Sequence, residues 1–215
     1  MSETIVIAEI VKGAVHPTTS ELITAANALG SQPTVIVPCA DASVADGAAH
    51  FSGSAKVIAA KSDVFSNYDA AGWAAALDAV APAGVLITSA SPQSKDLAAR
   101  LAARRGISVV QDVVKIEGGN LTSPIYSGKA MQTVSLTGDA VVSVRPNVFD
   151  SSGSGGSGDV SVVDTTGNVA TAVQEFMARA STRLDVAEAN IIVSGGRGMG
   201  SPANFSHLEA IADTI

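Results

Sequence analysis

Short β-branched runs alternate with amphipathic stretches through the first half of the chain. Residues 4–9, Thr-Ile-Val-Ile-Ala-Glu, have a strand pattern; residues 18–29 then place Leu22, Ile23, Ala26 and Leu29 on one helical face, with Gly30 where a C-cap belongs. The alternation continues with a strand at 34–37, a short helix at 44–51, a strand at 56–59 and an alanine-rich helix at 68–80 that carries Trp73, Leu77 and Val80. A strand at 84–88, a helix at 96–105 closed by Gly106, and a strand starting at Ser108 complete the series. Continuous apolar strands separated by helices predict an α/β protein: a mostly parallel sheet, right-handed crossovers, and helices on both faces.

Beyond Asp112 the texture changes. Runs at 113–117, 121–126, 131–136 and 140–144 are separated by Gly118-Gly119-Asn120, Ser127-Gly128 and Gly138-Asp139, which predicts antiparallel hairpins extending the sheet, with Gly138-Asp139 as a turn. Residues 151–158 are only Ser and Gly and read as an exposed flexible loop. A strand at 160–163 and a helix at 168–184, with Val169, Val173, Phe176 and Ala180 on one side, close a first domain of residues 1–185. Residues 186–215 then form the opening strand, turn and helix of a second. Ala189-Asn190-Ile191-Ile192-Val193 reads as a buried strand, and Ser201-Pro202 as an N-cap with proline at the first helical position. Phe205, Leu208, Ile211, Ala212 and Ile215 recur at helical spacing, so that helix is expected to bury one face.

Composition narrows the partners. Hydrophobic residues make 47% of the chain and aromatics only 4%, so the core must be Ala, Val, Ile and Leu. A net charge of −7 argues against nucleic acid and anionic membrane. No long apolar run and no basic leader is present, which predicts no membrane insertion and a cytoplasmic location. Cys39 is the one cysteine and reads as a small buried apolar residue. His16, His50 and His207 are scattered and give no metal site, and no Gly-x-Ser-x-Gly elbow exists, so no catalytic residue is assigned. Lys95, Arg100, Arg104 and Arg105 form a basic helix face, read first as a solvated surface and second as a docking patch. Asp63, Asp69 and Asp78 read as helix-flanking charges, and Arg145 as either a strand-end surface arginine or a residue that reaches a partner.

The candidate chemistry lies in the turn Ser194-Gly195-Gly196-Arg197-Gly198. Glycines after a strand let backbone N–H groups approach an anion, and Arg197 adds a fixed positive charge. By itself the pattern only approximates a dinucleotide fingerprint, and a tight turn with a solvated arginine is an equal reading.

The fuller wording, Ile191-Ile192-Val193-Ser194-Gly195-Gly196-Arg197-Gly198 running on to Asn204-Phe205 and Leu208, resembles the signature that opens the FAD-binding domain of electron transfer flavoprotein α subunits. The resemblance extends to Ile7-Ala8-Glu9, to Asp96-Leu97-Ala98-Ala99-Arg100-Leu101-Ala102, to Pro124-Ile125-Tyr126-Ser127-Gly128 and to Arg145-Pro146-Asn147-Val148-Phe149. Ser94-Lys95, Ala99 and Ser123 stand where that family's pattern has Gly-Arg, proline and arginine. The resemblance implies an electron carrier rather than an enzyme: the α subunit of a heterodimer that takes electrons from dehydrogenases through bound FAD and passes them to a redox acceptor. It further implies an N-terminal domain that packs against a β subunit, AMP in that partner subunit, FAD contacts at Ser194, Gly195, Gly196, Arg197 and Gly198, and most remaining FAD contacts in a C-terminal part beyond Ile215. The alternative is a stand-alone adenine-nucleotide-binding α/β module without flavin. An NAD-dependent dehydrogenase is disfavoured, because the turn comes too late in the chain for the rest of a nucleotide fold.

Overall fold

The apolar runs of the first half become the strands of one parallel sheet in the computed structural model, which describes residues 3–169, 171, 186, 189 and 191–215. In chain order the elements are β1 (Thr4–Ile7), β2 (Ile10–Val11), β3 (Ala14–Val15), α1 (Thr18–Asn27), β4 (Thr34–Cys39), α2 (Asp46–Ala49), β5 (Lys56–Lys61), α3 (Ala70–Val80), β6 (Val85–Ser89) and α4 (Pro92–Arg105). They continue with β7 (Ser108–Val113), β8 (Lys115–Glu117), β9 (Asn120–Ile125), β10 (Ala130–Ser135), β11 (Ala140–Val144), β12 (Val160–Asp164) and α5 (Ser206–Ala212). The chain divides into two units, Met1–Ala172 and Val173–Ile215.

The main sheet runs β12-β5-β4-β1-β6-β11-β7, and every neighbouring pair is parallel. Its two faces hold separate cores. Val6, Val37 and Ile87 pack with Leu22 and Ile23 of α1 on one side, while Ile5, Ile7 and Leu86 pack with Trp73 and Leu77 of α3 and Leu97 and Leu101 of α4 on the other. Both faces are covered, which is why β1, β4 and β6 are buried at every position and apolar on both faces rather than at alternate positions only. Trp73 anchors its layer: its indole N–H donates to the Val64 and Asn67 carbonyls, 3.0 Å each, and its ring meets Phe65 and Tyr68 edge to face at 5.1 and 5.2 Å.

Local signals set the helix ends. Asp69 caps α3 by accepting from the Gly72 amide at 2.7 Å, Ser91 caps α4 ahead of Pro92, and Gly106 ends α4 in the left-handed region at φ 65°. Because the Ser91-Pro92 cap starts the helix, α4 begins earlier than its apolar periodicity alone predicts.

Four expectations change. β11 is not a hairpin strand: it inserts between β6 and β7, parallel to both, and Gly138-Asp139 belongs to the crossover that brings it there. Its run Ala-Val-Val-Ser-Val is buried at all five positions, the mark of an interior parallel strand. The antiparallel hairpins form a sheet of their own, β10-β9-β8. The Ser/Gly segment is docked rather than loose: Phe51 bridges Ser154, the Gly155 and Gly158 amides donate to the His50 and Ala49 carbonyls, and the Ser152 amide donates to the Ser20 carbonyl. In the second unit, Ile191, Ile192 and Val193 form no strand, and Ile191 and Ile192 are 64% and 53% exposed; no described strand of that unit offers them a ladder to join. The helix expected over 168–184 falls outside the described residues apart from 168, 169 and 171.

A side chain at Gly156 would overlap the carbonyl oxygens of Ala49 and Phe51, so the docked strap requires glycine there. Gly156→Ala is expected to cost roughly 2–3 kcal/mol of unfolding free energy in denaturant melts and to expose residues 151–158 to proteolysis. Gly138→Ala, where an added Cβ meets nothing, is expected to stay within about 0.5 kcal/mol of the parent.

Candidate functional site

In the second unit the sequence Ser194 to Gly200 forms a compact turn ahead of a short helix. Arg197–Met199 is a single 3₁₀ turn, closed by Met199 N–H to the Gly196 carbonyl at 2.9 Å and by Gly200 N–H to the Arg197 carbonyl at 3.1 Å. Gly200 then takes φ 76°, a conformation in which a side chain is strained. Ser201 caps the following turn by accepting from the Ala203 amide at 3.3 Å, with Pro202 at the first helical position as the sequence predicts. Asn204 folds back, its side-chain amide donating to the Met199 carbonyl at 2.7 Å. Asn204 thus acts as the clamp of the turn, a role that the glycine pattern alone does not reveal.

The glycines divide by role. A Cβ on Gly195 would lie 2.6 Å from Leu208 Cδ1 and 2.9 Å from Met199 Cγ, so a side chain there would displace those two flexible side chains from the turn. At Gly196 and Gly198 an added Cβ meets nothing. Both are exposed, as are Ser194 and Arg197. The amides of Gly196, Arg197 and Gly198 reach no acceptor among the described residues, and Arg197 has no carboxylate partner there. Unpaired amides beside an unpaired guanidinium, with no side chain in the way, suit an anionic oxygen group such as a phosphate. The structure therefore brings together all five residues that the sequence singled out. It does not bury the helix that follows: Phe205, Ile211 and Ile215 are exposed.

The other conspicuous charges are accounted for internally. Arg104 and Arg105 of α4 both donate to Asp78 of α3 at 2.7 Å, and Arg105 also donates to the carbonyls of Pro82 and Ala81. Burial opposes ionisation of Asp78, but the Arg105 and Arg104 hydrogen bonds outweigh it and hold its pKa below the usual value. Arg100 pairs with Asp96, and Lys95 with Asp112 at 3.3 Å. The basic face of α4 is thus largely neutralised. Arg145, at the end of β11, donates to Asp112 Oδ2 at 2.7 Å, tying the ends of β11 and β7 together. Asp112 has φ 62°, a left-handed position at the register shift between β7 and β11, beyond which Val113 still pairs with Val144. Cys39 is buried, and burial pushes its thiol pKa up, so it is a packing residue and not a nucleophile. Among the described residues no group of three or more His, Cys, Asp or Glu can hold a metal, and no helix is long and apolar enough to cross a membrane.

The model of the electron transfer flavoprotein domain matches residues 4–168, which is nearly the whole of the first unit. The chain belongs to the electron transfer flavoprotein family. Among its relatives, the electron transfer flavoprotein subunit alpha of Mycobacterium tuberculosis is 38% identical over 226 residues, covering 100% of this chain and 70% of that protein. The Mycobacterium leprae protein of the same name is 35% identical over 228 residues with the same coverage, and that of Bacillus subtilis 32% identical over 230 residues, 98% of this chain and 69% of the relative. Because the mycobacterial matches span all of this chain, the glycine turn lies inside the region shared with those electron transfer flavoprotein subunits.

The Arg145 hydrogen bond, followed by the Lys95 charge, holds the Asp112 carboxyl below the ordinary aspartate range. A lowered folded-state pKa stabilises above the unfolded value, and that stabilisation is lost as pH falls through the folded one. Asp112→Asn, which tolerates the left-handed backbone, is expected to cost about 1 kcal/mol at neutral pH and nothing at strongly acid pH, so that parent and variant melting curves converge below about pH 4.

Proposed function

We propose that this chain is the α subunit of a heterodimeric electron transfer flavoprotein, carrying electrons through bound FAD without making or breaking substrate bonds of its own. The observation that carries the reading is the turn at Ser194–Gly198, where amides and an arginine that have no partner among the described residues coincide with two glycines open to solvent in a chain of this family. Bound FAD supplies the redox chemistry. In this reading Ser194 and the amides of Gly195, Gly196 and Gly198 hold phosphate or ring oxygens of the cofactor. Arg197 supplies a positive charge that favours the electron-rich form. Gly195 keeps the turn seated on Leu208, and Asn204 fixes its shape.

The domain assignment follows the same reading. Residues 1–185 form the domain that packs against a β subunit, AMP is bound in that partner, and residues 186–215 open the FAD domain, whose further contacts lie beyond Ile215. Electrons arrive from dehydrogenases and leave to a redox acceptor, in the cytoplasm, with no nucleic acid or membrane insertion involved. The relatives' shared name supports the α-subunit assignment.

Native mass spectrometry of the complex isolated from its host through this chain tests the reading. A second subunit and one FAD are expected in the complex; this chain alone and without flavin would overturn the carrier and favour a plain nucleotide-binding module. Within the complex, Arg197→Ala is expected to weaken FAD retention by roughly 1.5–3 kcal/mol, the worth of a hydrogen bond to a charged group, and to lower the flavin's potential, while Arg197→Lys recovers part of both. Fluorescence titration and a spectroelectrochemical midpoint measurement read the two effects separately.

A further inference from the structure

Glu9 is a buried carboxylate that electron carriage leaves without a role. It follows β1 directly and is 8% exposed. Its Oε1 accepts from Ser91 Oγ at 2.6 Å, its Oε2 accepts from Ser94 Oγ at 2.5 Å, and its own amide donates to Thr19 Oγ1 at 3.2 Å. Ser91 is the N-cap of α4, a helix of 14 residues, and Ser94 lies in its first turn. The carboxylate therefore sits on the N-terminal end of α4 and takes up both hydroxyl donors there.

The location matters because of the sheet order. From β1 the chain builds outward to β4 and β5, whereas β6, β11 and β7 lie on the opposite side, so the strand order reverses between β1 and β6. In open parallel sheets the crevice beyond the carboxyl ends of the strands at such a reversal is where ligands bind, with phosphate on a helix N-terminus. Glu9 ends β1, and Ser91 follows β6. A second observation points to the same place. Thr88 Oγ1 is buried, with the residue 1% exposed, and has no hydrogen-bond partner among the described residues; it lies on the face of β6 that Leu86 shares with α4, one register step past the Val6–Ile87 pair. A buried hydroxyl without a partner is an anomaly that a ligand oxygen would relieve.

We propose that Glu9 is a built-in occupant of a phosphate position: the first unit is a nucleotide-type crevice closed by its own carboxylate. The negative charge repels an entering phosphate, and the two serine hydroxyls that would bind it are already engaged. Removing the carboxylate opens the crevice to a phosphate monoester, and while it is present nucleotide is confined to other sites. None of this rests on the flavin reading.

The test uses the full 215-residue chain, isotopically labelled, titrated with inorganic phosphate and with AMP while the amides of Ser91, Gln93 and Ser94 are followed by NMR. The parent is expected to show no saturable shift at those amides. Glu9→Gly is expected to bind both probes there about tenfold or more tightly than any residual effect in the parent, and phosphate is expected to raise its melting temperature by more than it raises the parent's. If the glycine variant does not fold, Glu9→Ala, which also vacates the position and frees both serine hydroxyls, is expected to show the same shifts. Saturable shifts at Ser91–Ser94 in the parent would overturn the proposal. So would folded Glu9 variants that leave those amides unmoved, including the case in which shifts are confined to Ser194–Gly200.

Discussion

The structure depends on one requirement, that a seven-stranded parallel sheet be covered on both faces. A parallel strand in the middle of such a sheet has no solvent side, so its side chains must be apolar in both directions, as Ile5, Val6 and Ile7 are. Each crossover must supply a helix flat enough to lie close. The alanines of α3 and α4 serve that purpose: Ala74, Ala76, Ala98 and Ala102 are nearly inaccessible, and the bulk is left to Trp73, Leu77, Leu97 and Leu101. With so few aromatics in the chain, Trp73 with Phe65 and Tyr68 concentrates most of the ring packing in one corner of one layer.

Close layers also bring backbones together, and that explains the glycines better than flexibility does. At Gly167 an added Cβ would overlap the Gly72 carbonyl, so the segment after β12 crosses α3 at the narrowest separation that two main chains allow. Thr165 Oγ1 donates to the Ala76 carbonyl at 2.8 Å and Thr171 Oγ1 to Asp69 at 2.6 Å, fastening that crossing. The Ser/Gly strap is held mainly by main-chain amides, helped by Ser20 Oγ against Ser151 Oγ at 2.8 Å and by Ser52 Oγ, which donates to the Ser152 carbonyl. Its composition reads as disorder because sequence reports what side chains can pack, and here the attachment is made mainly by groups that every residue possesses.

This marks what the sequence could and could not convey. The alternation of strands and helices from Thr4 to Val110 was legible because the two hydrophobic periods differ and because Asp69, Ser91, Pro92 and Gly106 punctuate them. The placement of β11 was partly legible, since five consecutive buried-type residues indicate an interior strand, but the Gly-Asp before it imitates a hairpin turn and local signals do not encode strand order. The hairpin β2–β3 was hidden by its length: two residues per strand carry no period, and the positive φ of Lys12 and Gly13 is its one distinguishing trace. At the glycine turn the residue set was legible from the signature, whereas the roles of Gly195 as packing and of Asn204 as clamp required coordinates. Glu9 was seen as part of a resemblance and not as a buried group, because nothing local to it announces Ser91 and Ser94, more than 80 positions away.

The two turns answer the same physical problem in opposite ways. At the head of α4, donors that would otherwise seek an anion are satisfied by a carboxylate from the chain itself, and the carboxylate in turn is made tolerable inside the protein by those donors. At Arg197 the donors are left open, which costs little because the turn is exposed and water serves the amides until something better does. One set of donors is thus satisfied from within, while the other is left exposed beside Arg197, which has no carboxylate partner among the described residues. The paired charges of α4 extend that contrast, since Asp78 with Arg104 and Arg105 joins α3 to α4 and stiffens the layer. The charges of α3 and α4 are therefore largely spent on the rigidity of that layer, whereas the donors from Ser194 to Gly198 are left exposed.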